Sequence, residues 1–216
     1  MASTTTEKQP HLLQEIEPVA QEVLALLAPV CERAVIAGSI RRQKPYCSDI
    51  EIVAIPRYEQ RSDVEHVGLF DDQPLPPIEV NLLDELVGGL LLDGVLGKRL
   101  DKNGRPSIGP KSKRLSYQDF ALDLFIGSAE NWGVLLAIRT GPASFAHAFV
   151  TNVGHMTRPA YAGAEHKPRP GLLPSGMRVG DGNQLFGPDG RLVATPTEEA
   201  FFEAIALPIL EPWRRS

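Results

Sequence analysis

Apolar residues recur at three- and four-residue steps through Leu12, Ile16, Val19, Val23, Leu27 and Val30, the stripe of an amphipathic helix. Pro18 falls inside the stripe and predicts a break or restart there. The period then changes. Residues 34–38, AVIAG, read as a short buried strand that ends at a Gly-Ser turn. Residues 49–56, DIEIVAIP, alternate strictly. Ile50, Ile52 and Ala54 share one strand face, and Asp49, Glu51 and Val53 share the other. A polar, proline-rich stretch leads to a helix expected over 78–92, with Leu82, Leu86 and Leu90 on one side. Alternation returns in YQDFALDLFIG, residues 117–127, where Phe120, Leu122, Leu124 and Ile126 oppose Asp119, Ala121, Asp123 and Phe125. The unbroken apolar run WGVLLAI, 132–138, is expected to be another buried strand, and PASFAHAFVTN a short helix starting near Pro142.

The texture shifts near residue 150, where glycine and proline become frequent. LFGPDGRLVATP reads as a hairpin turning at Pro188-Asp189-Gly190. Thr197 is a good N-cap for the helix that follows, and Glu198 and Glu199 suit its positive end. Three stretches result: a flexible N-terminus over 1–10, a main unit over 11–150 and a smaller mixed unit over 151–216.

Composition adds bounds. The chain has 216 residues, 43% hydrophobic and 23% charged, as expected of an ordinary globular protein. Its apolar runs are too short to span a bilayer, so no membrane partner is expected. No basic stretch followed by an apolar one marks the first residues, and Cys31 and Cys47 make no disulfide framework. Free thiols in a cytoplasmic protein are the expectation. The net charge of −5 argues against a non-specific nucleic-acid coat. One stretch runs against it. Lys98, Arg99, Lys102, Arg105, Lys111, Lys113 and Arg114 crowd residues 97–114, where only Asp101 is acidic. Such a patch attracts phosphates, although a solvated hairpin has the same composition. Trp132 and Trp213 are expected in core or edge packing.

The chemistry centres on Asp49, Glu51 and Asp123. Pairing of their two strands lets all three project from one sheet face. Carboxylates so gathered repel, and their pKa values rise unless cations compensate. Magnesium is the natural compensator, and two such ions about 3.5–4 Å apart can clamp a phosphoryl transfer. A D-x-E in an alternating strand also describes a plain solvated face. The preceding turn tilts the reading. Gly38 permits an unusual backbone angle, Ser39 offers a hydroxyl and an amide to a phosphate, and Arg41, Arg42 and Lys44 supply positive charge.

With these residues in view, GSIRRQKPYCSDIE (38–51) resembles the nucleotidyltransferase signature, and more closely the palm of X-family DNA polymerases, the DNA polymerase beta group. LDLFI matches the strand of that family's third aspartate, and WGVLLAIRTG its strand ending in a Thr-Gly turn. MTRP and the closing LFGPDGRLVATPTEEAFFEAIALPILEPWRR are similar to segments of its thumb. The resemblance covers about residues 20–215. It implies an α+β fold: a nucleotidyltransferase palm of mixed sheet with helices on one face, then a small thumb-like α/β subdomain. It implies that Asp49, Glu51 and Asp123 are catalytic and hold two Mg2+ ions, with Mn2+ an acceptable substitute. Ser39 and Arg42 would bind the phosphates of a dNTP or NTP. Gly38 would allow the turn, Gly141 would let the chain approach the sugar, and Arg158 would serve from the thumb. The basic stretch would meet DNA, or RNA.

The sequence also departs from the family. Glu51 replaces an aspartate, and Ile138-Arg139-Thr140-Gly141-Pro142 replaces an aromatic turn. The expected activity is transfer of nucleoside monophosphates to a 3′-hydroxyl with release of pyrophosphate, in DNA repair. The alternatives are a template-independent transferase acting on RNA, protein or a small molecule, and a non-catalytic nucleic-acid-binding accessory module.

Overall fold

The computed structural model describes residues 8–61, 77–101, 103–150 and 172–215. A two-residue strand β1 (His11–Leu12) opens the chain and runs into helix α1 (Leu13–Leu27). Pro18 lies inside α1 and does not break it. The helix gives up one backbone hydrogen bond there, but Ile16, Ala20, Val23 and Leu27 on either side of Pro18 are buried, and that packing holds the axis. Strand β2 (Cys31–Ile36) is followed by the four-residue helix α2 (Gly38–Arg41), then β3 (Tyr46–Cys47) and β4 (Ile50–Pro56). Next come β5 (Tyr58–Arg61) and β6 (Ile78–Asn81).

The helix expected over 78–92 begins later, as α3 (Leu82–Leu92), because residues 78–81 pair with β5 as a strand. Asn81 caps α3 by accepting from the amides of Leu83 and Asp84. Strands β7 (Leu96–Lys98), β8 (Ser112–Tyr117) and β9 (Phe120–Ile126) follow.

One five-stranded mixed sheet, in the order β2-β4-β9-β8-β7, organises this part of the chain. Its central pair, β4 and β9, is parallel; the other pairs are antiparallel. Alternation is realised as the sequence predicts. Ile50, Ile52, Ala54, Leu122 and Leu124 pack with α1 and α3 on one face. The opposite face is also covered, which corrects the expectation of helices on one face alone. Val53, Ile55 and Phe125 meet Trp132, Leu135 and Leu136 there.

Those three residues belong to helix α4 (Trp132–Thr140), so the run read as a strand is helical. A helix buried on all sides shows no period of 3.6, and periodicity cannot distinguish it from a strand. Its other side, Val134, Ala137 and Ile138, enters a second core with Phe145 and Phe149 of α5 (Ala143–Val150). Phe201, Phe202 and Ile205, from α6 (Glu198–Ala204) and the residue after it, complete that core. Between α5 and α6 lie β10 (Arg178–Val179), β11 (Leu185–Phe186) and β12 (Leu192–Val193), a small antiparallel sheet that includes the predicted hairpin. Thr197 caps α6 by accepting from Ala200 N. The fold is therefore α+β.

Trp132 is fully buried, but Trp213 is 59% exposed and is not the packing residue expected. Cys31 and Cys47 are free and buried. Among the described residues no helix is long and apolar enough to cross a membrane.

Candidate functional site

The parallel register of β4 and β9 places Glu51 directly opposite Asp123. The next strand sets Arg114 opposite Asp123 from the other side. Asp49 stands just ahead of β4. The two aspartates converge on a single cation: the Lys8 ammonium is hydrogen-bonded to Asp49 Oδ2 and lies 3.0 Å from Asp123 Oδ2. Two oxygens sharing one ammonium are no more than about 6 Å apart. Asp123 also accepts from Arg99 Nη1 at 2.9 Å.

Glu51 is held differently. Its carboxylate lies against the backbone of α2, where a Cβ at Gly38 would fall 2.0 Å from Glu51 Oε2. Gly38 also has a φ of +63°, so two separate constraints require glycine there. Burial, helped by Asp49, pushes the Glu51 carboxyl up to about 7, against the lowering influence of Lys8. Burial lowers the Lys8 ammonium, but its bonds to the two aspartates outweigh this and raise it overall.

Asp49 and Glu51, with Lys8, form one wall of a cavity of about 410 Å³. Ser39, Arg42, Arg139 and Gly141 line the rest. Arg42 donates through Nη1 to the Thr140 carbonyl at 2.5 Å, while its buried Nε finds no acceptor among the described residues. The Arg139 guanidinium carbon lies 3.8 Å from the centre of the Phe125 ring, and its buried Nε is also without an acceptor among the described residues. Burial lowers the pKa of both guanidinium groups, and Glu51 opposes this in each. A second hollow, lined by Gly94, Val95, Gly97 and Ser116–Gln118, shares no residue with this one and brings no acid, histidine or cation.

No protein-family model matches this chain, and no curated protein matches it.

Among the described residues, no three of His, Cys, Asp or Glu converge tightly enough to hold a metal ion between them. Asp49 and Asp123 do meet at one cation position, and Glu51 stands beside Asp123 with its charge under-compensated. Three oxygen-bearing acids around a site already held by a cation suit a hard divalent ion. Arg42 and Arg139, the two guanidinium groups that line the cavity across from these acids, suit an anion.

The remaining expected residues divide. Gly141 ends α4, and a Cβ there would fall 2.2 Å from the Phe145 ring, so contact with that ring already requires glycine. Arg158 and Lys102 lie outside the described residues. In the basic stretch, Lys98, Arg105, Lys111 and Arg114 are exposed. Lys113 is not available to a nucleic acid. It is 4% exposed and points through the inner face of β8 to Asp84, at 2.7 Å. Arg99 is committed to Asp123.

Sequence reading missed Lys8 and Arg139. It also read Glu198 only as a helix-start acid. In the fold Glu198 is buried and accepts from both Arg41 and Arg215. Burial raises its pKa, but the two guanidinium groups more than offset this and hold it below the usual carboxylate range.

Proposed function

We propose that this chain is a metal-dependent nucleotidyltransferase of the DNA polymerase beta type. It would join a nucleoside monophosphate from a dNTP or NTP to a 3′-hydroxyl and release pyrophosphate. The observation that carries this reading is one cavity with two unlike walls. Asp49 and Glu51 form one, backed by Asp123 beside Glu51 in the sheet, and Ser39, Arg42 and Arg139 form the other, with two buried donors unmet among the described residues. A metal–polyphosphate complex needs both walls. Neither an apolar ligand nor a simple cation uses the arginines.

Asp49, Glu51 and Asp123 would hold Mg2+ or Mn2+, which would supply charge neutralisation and acidify the attacking hydroxyl. Ser39 would offer its hydroxyl to a phosphate oxygen. Arg42, braced on the Thr140 carbonyl, would meet the same phosphates from the cavity wall. Arg139, pinned on Phe125, would reach them from α4 without an entropic search. Gly38 keeps α2 close enough to β4 for Ser39 and Glu51 to share the cavity. The acceptor would be nucleic acid, because Lys98, Arg105, Lys111 and Arg114 are exposed on and between the edge strand β7 and β8, the strand that adjoins β9 and Asp123. DNA is the acceptor we favour.

The test is primer extension. A labelled DNA primer, alone or across a template gap, is incubated with the protein, Mg2+ or Mn2+, and each dNTP or rNTP. Template-directed extension is the expected result. Addition without template, or to RNA alone, would assign the chain to the template-independent transferases. DNA binding with no nucleotide binding would make it an accessory module. Asp123→Ala should lower any extension about a thousandfold or more while leaving the circular dichroism spectrum unchanged. Parental activity in that variant would overturn the site.

A further inference from the structure

Lys8 lies far from the acids in sequence, 115 residues from Asp123, yet its ammonium touches both aspartates. The contact follows from how the N-terminal segment is tied down. Strand β1 pairs antiparallel with β3, His11 opposite Cys47 and Leu12 opposite Tyr46. Leu13 N donates to the Pro45 carbonyl, and the His11 ring packs 4.6 Å from that of Phe120. Continuing that register carries the chain back along residues 48–50, directly past Asp49. The tether therefore ends where the Lys8 stem can reach the acids.

The environment suits exchange better than permanent burial. The Lys8 side chain is 44% exposed, whereas those of Asp49 and Asp123 are 12% and 9% exposed. Arg99 supplies Asp123 with a separate partner on its other oxygen, so Lys8 can leave without stripping that group bare. No other cation contact is made by Asp49 among the described residues. A half-exposed ammonium on a short tether is a local competitor, present at high effective concentration and displaced by a ligand of higher charge.

We propose that Lys8 is a tethered counter-ion that closes the acidic end of the cavity in the metal-free protein and must be displaced by an incoming divalent cation. It keeps Asp49 and Asp123 together without metal and sets the metal concentration at which the site fills. The inference rests on the proposed function only for what displaces Lys8.

Two measurements on the full chain test it. The first is Mn2+ binding, followed by electron paramagnetic resonance without nucleotide or DNA. Lys8→Ala should tighten binding about tenfold, and Lys8→Arg should keep the parental affinity within about twofold. The second is zero-length carbodiimide cross-linking read by mass spectrometry. Metal-free protein should give a Lys8–Asp49 or Lys8–Asp123 amide, and saturating Mg2+ should suppress it about tenfold or more. Unchanged Mn2+ affinity in Lys8→Ala, with binding lost in Asp123→Ala, would overturn the competitor role and leave the transferase reading standing. A cross-link that never forms, or that persists in Mg2+, would overturn it as well. If Mn2+ binding is absent from the parent and from Lys8→Ala alike, the metal site falls, and the inference with it.

Discussion

Two clusters of opposite charges flank helix α2, and they are finished to different degrees. In the one built on Glu198, nearly every donor is spent. Arg41 gives Nη1 to Thr140 Oγ1 and both Nη atoms to Glu198. Arg215, 1% exposed, gives Nη1 to Glu198 and its remaining nitrogens to the Leu210 carbonyl. In the cluster built on Asp49, Glu51 and Asp123, the acids outnumber the cations that touch them, and Arg42 and Arg139 across the cavity keep unmet donors. A completed network fixes a fold, since each removed partner strands a buried charge. An incomplete one costs stability and persists where a ligand completes it. Adjacent arginines, Arg41 and Arg42, thus serve opposite ends: one ties α2 to the C-terminal part, the other faces the cavity.

Breaking the completed cluster should have the largest effect on folding. Glu198→Ala leaves two guanidinium groups without their carboxylate, one of them fully buried. We expect a loss of about 3–5 kcal/mol in urea denaturation. If the loss is below about 1 kcal/mol, the network is not what joins α2 to the C-terminal part.

The incomplete cluster should show itself through pH. The Glu51 carboxyl is raised from 4.5 to about 7. Between those values the folded chain holds a proton that the unfolded chain releases. Stability therefore falls as pH rises from about 4.5 through 7, by about 3 kcal/mol in total, and levels off above. Denaturation in a chelator across this range should show the slope, and Glu51→Gln should flatten it. The Glu198 cluster predicts the reverse sign: its lowered carboxyl contributes stability above its ordinary pKa that is lost in acid.

A smaller effect is expected at the joint between the clusters. Gly38→Ala places a methyl group 2.0 Å from Glu51 Oε2 at a φ of +63°. It should cost about 1–2 kcal/mol and weaken Mn2+ binding by displacing Glu51. A variant as stable as the parent would mean that α2 and β4 are less tightly joined than they look.

What was legible in the sequence follows from range. The faces of β4 and β9 depend on a period of two, so the shared side of Glu51 and Asp123 could be read before any fold was known. The Thr197 cap and the Gly187–Gly190 turn are local as well. Helix α4 could not be read in the same way. Trp132, Leu135 and Leu136 face the sheet while Val134, Ala137 and Ile138 face the second core, so no polar stripe marks its period. Lys8, Glu198 and Arg139 escaped for a related reason. Each acquires its role from partners brought in by the fold, and nothing beside it in the chain announces the charge it will meet. Lys113 shows the converse: it sits in an obvious basic run, but strand parity sends it inward to Asp84.

Arg139 offers the finest test of the contrast, because it sits beside Thr140, whose side chain and carbonyl hold Arg41 of α2 and Arg42 just after it. If the cavity side is built for an anion, Arg139→Gln removes a donor that has no hydrogen-bond partner to lose among the described residues. Stability should change by no more than about 1 kcal/mol, the worth of its stacking on Phe125. Pyrophosphate binding, measured by calorimetry with Mg2+ present, should weaken about tenfold, as expected for one charge-assisted contact. Arg41→Gln should do the opposite, lowering the melting temperature by several degrees while leaving pyrophosphate affinity within about twofold. Equal effects of the two substitutions on both readouts would dissolve the distinction between a completed and a waiting network. A melting-temperature loss in Arg139→Gln with unchanged pyrophosphate binding would place Arg139 among the groups that hold the fold, and leave Arg42 as the anion-binding arginine of the cavity.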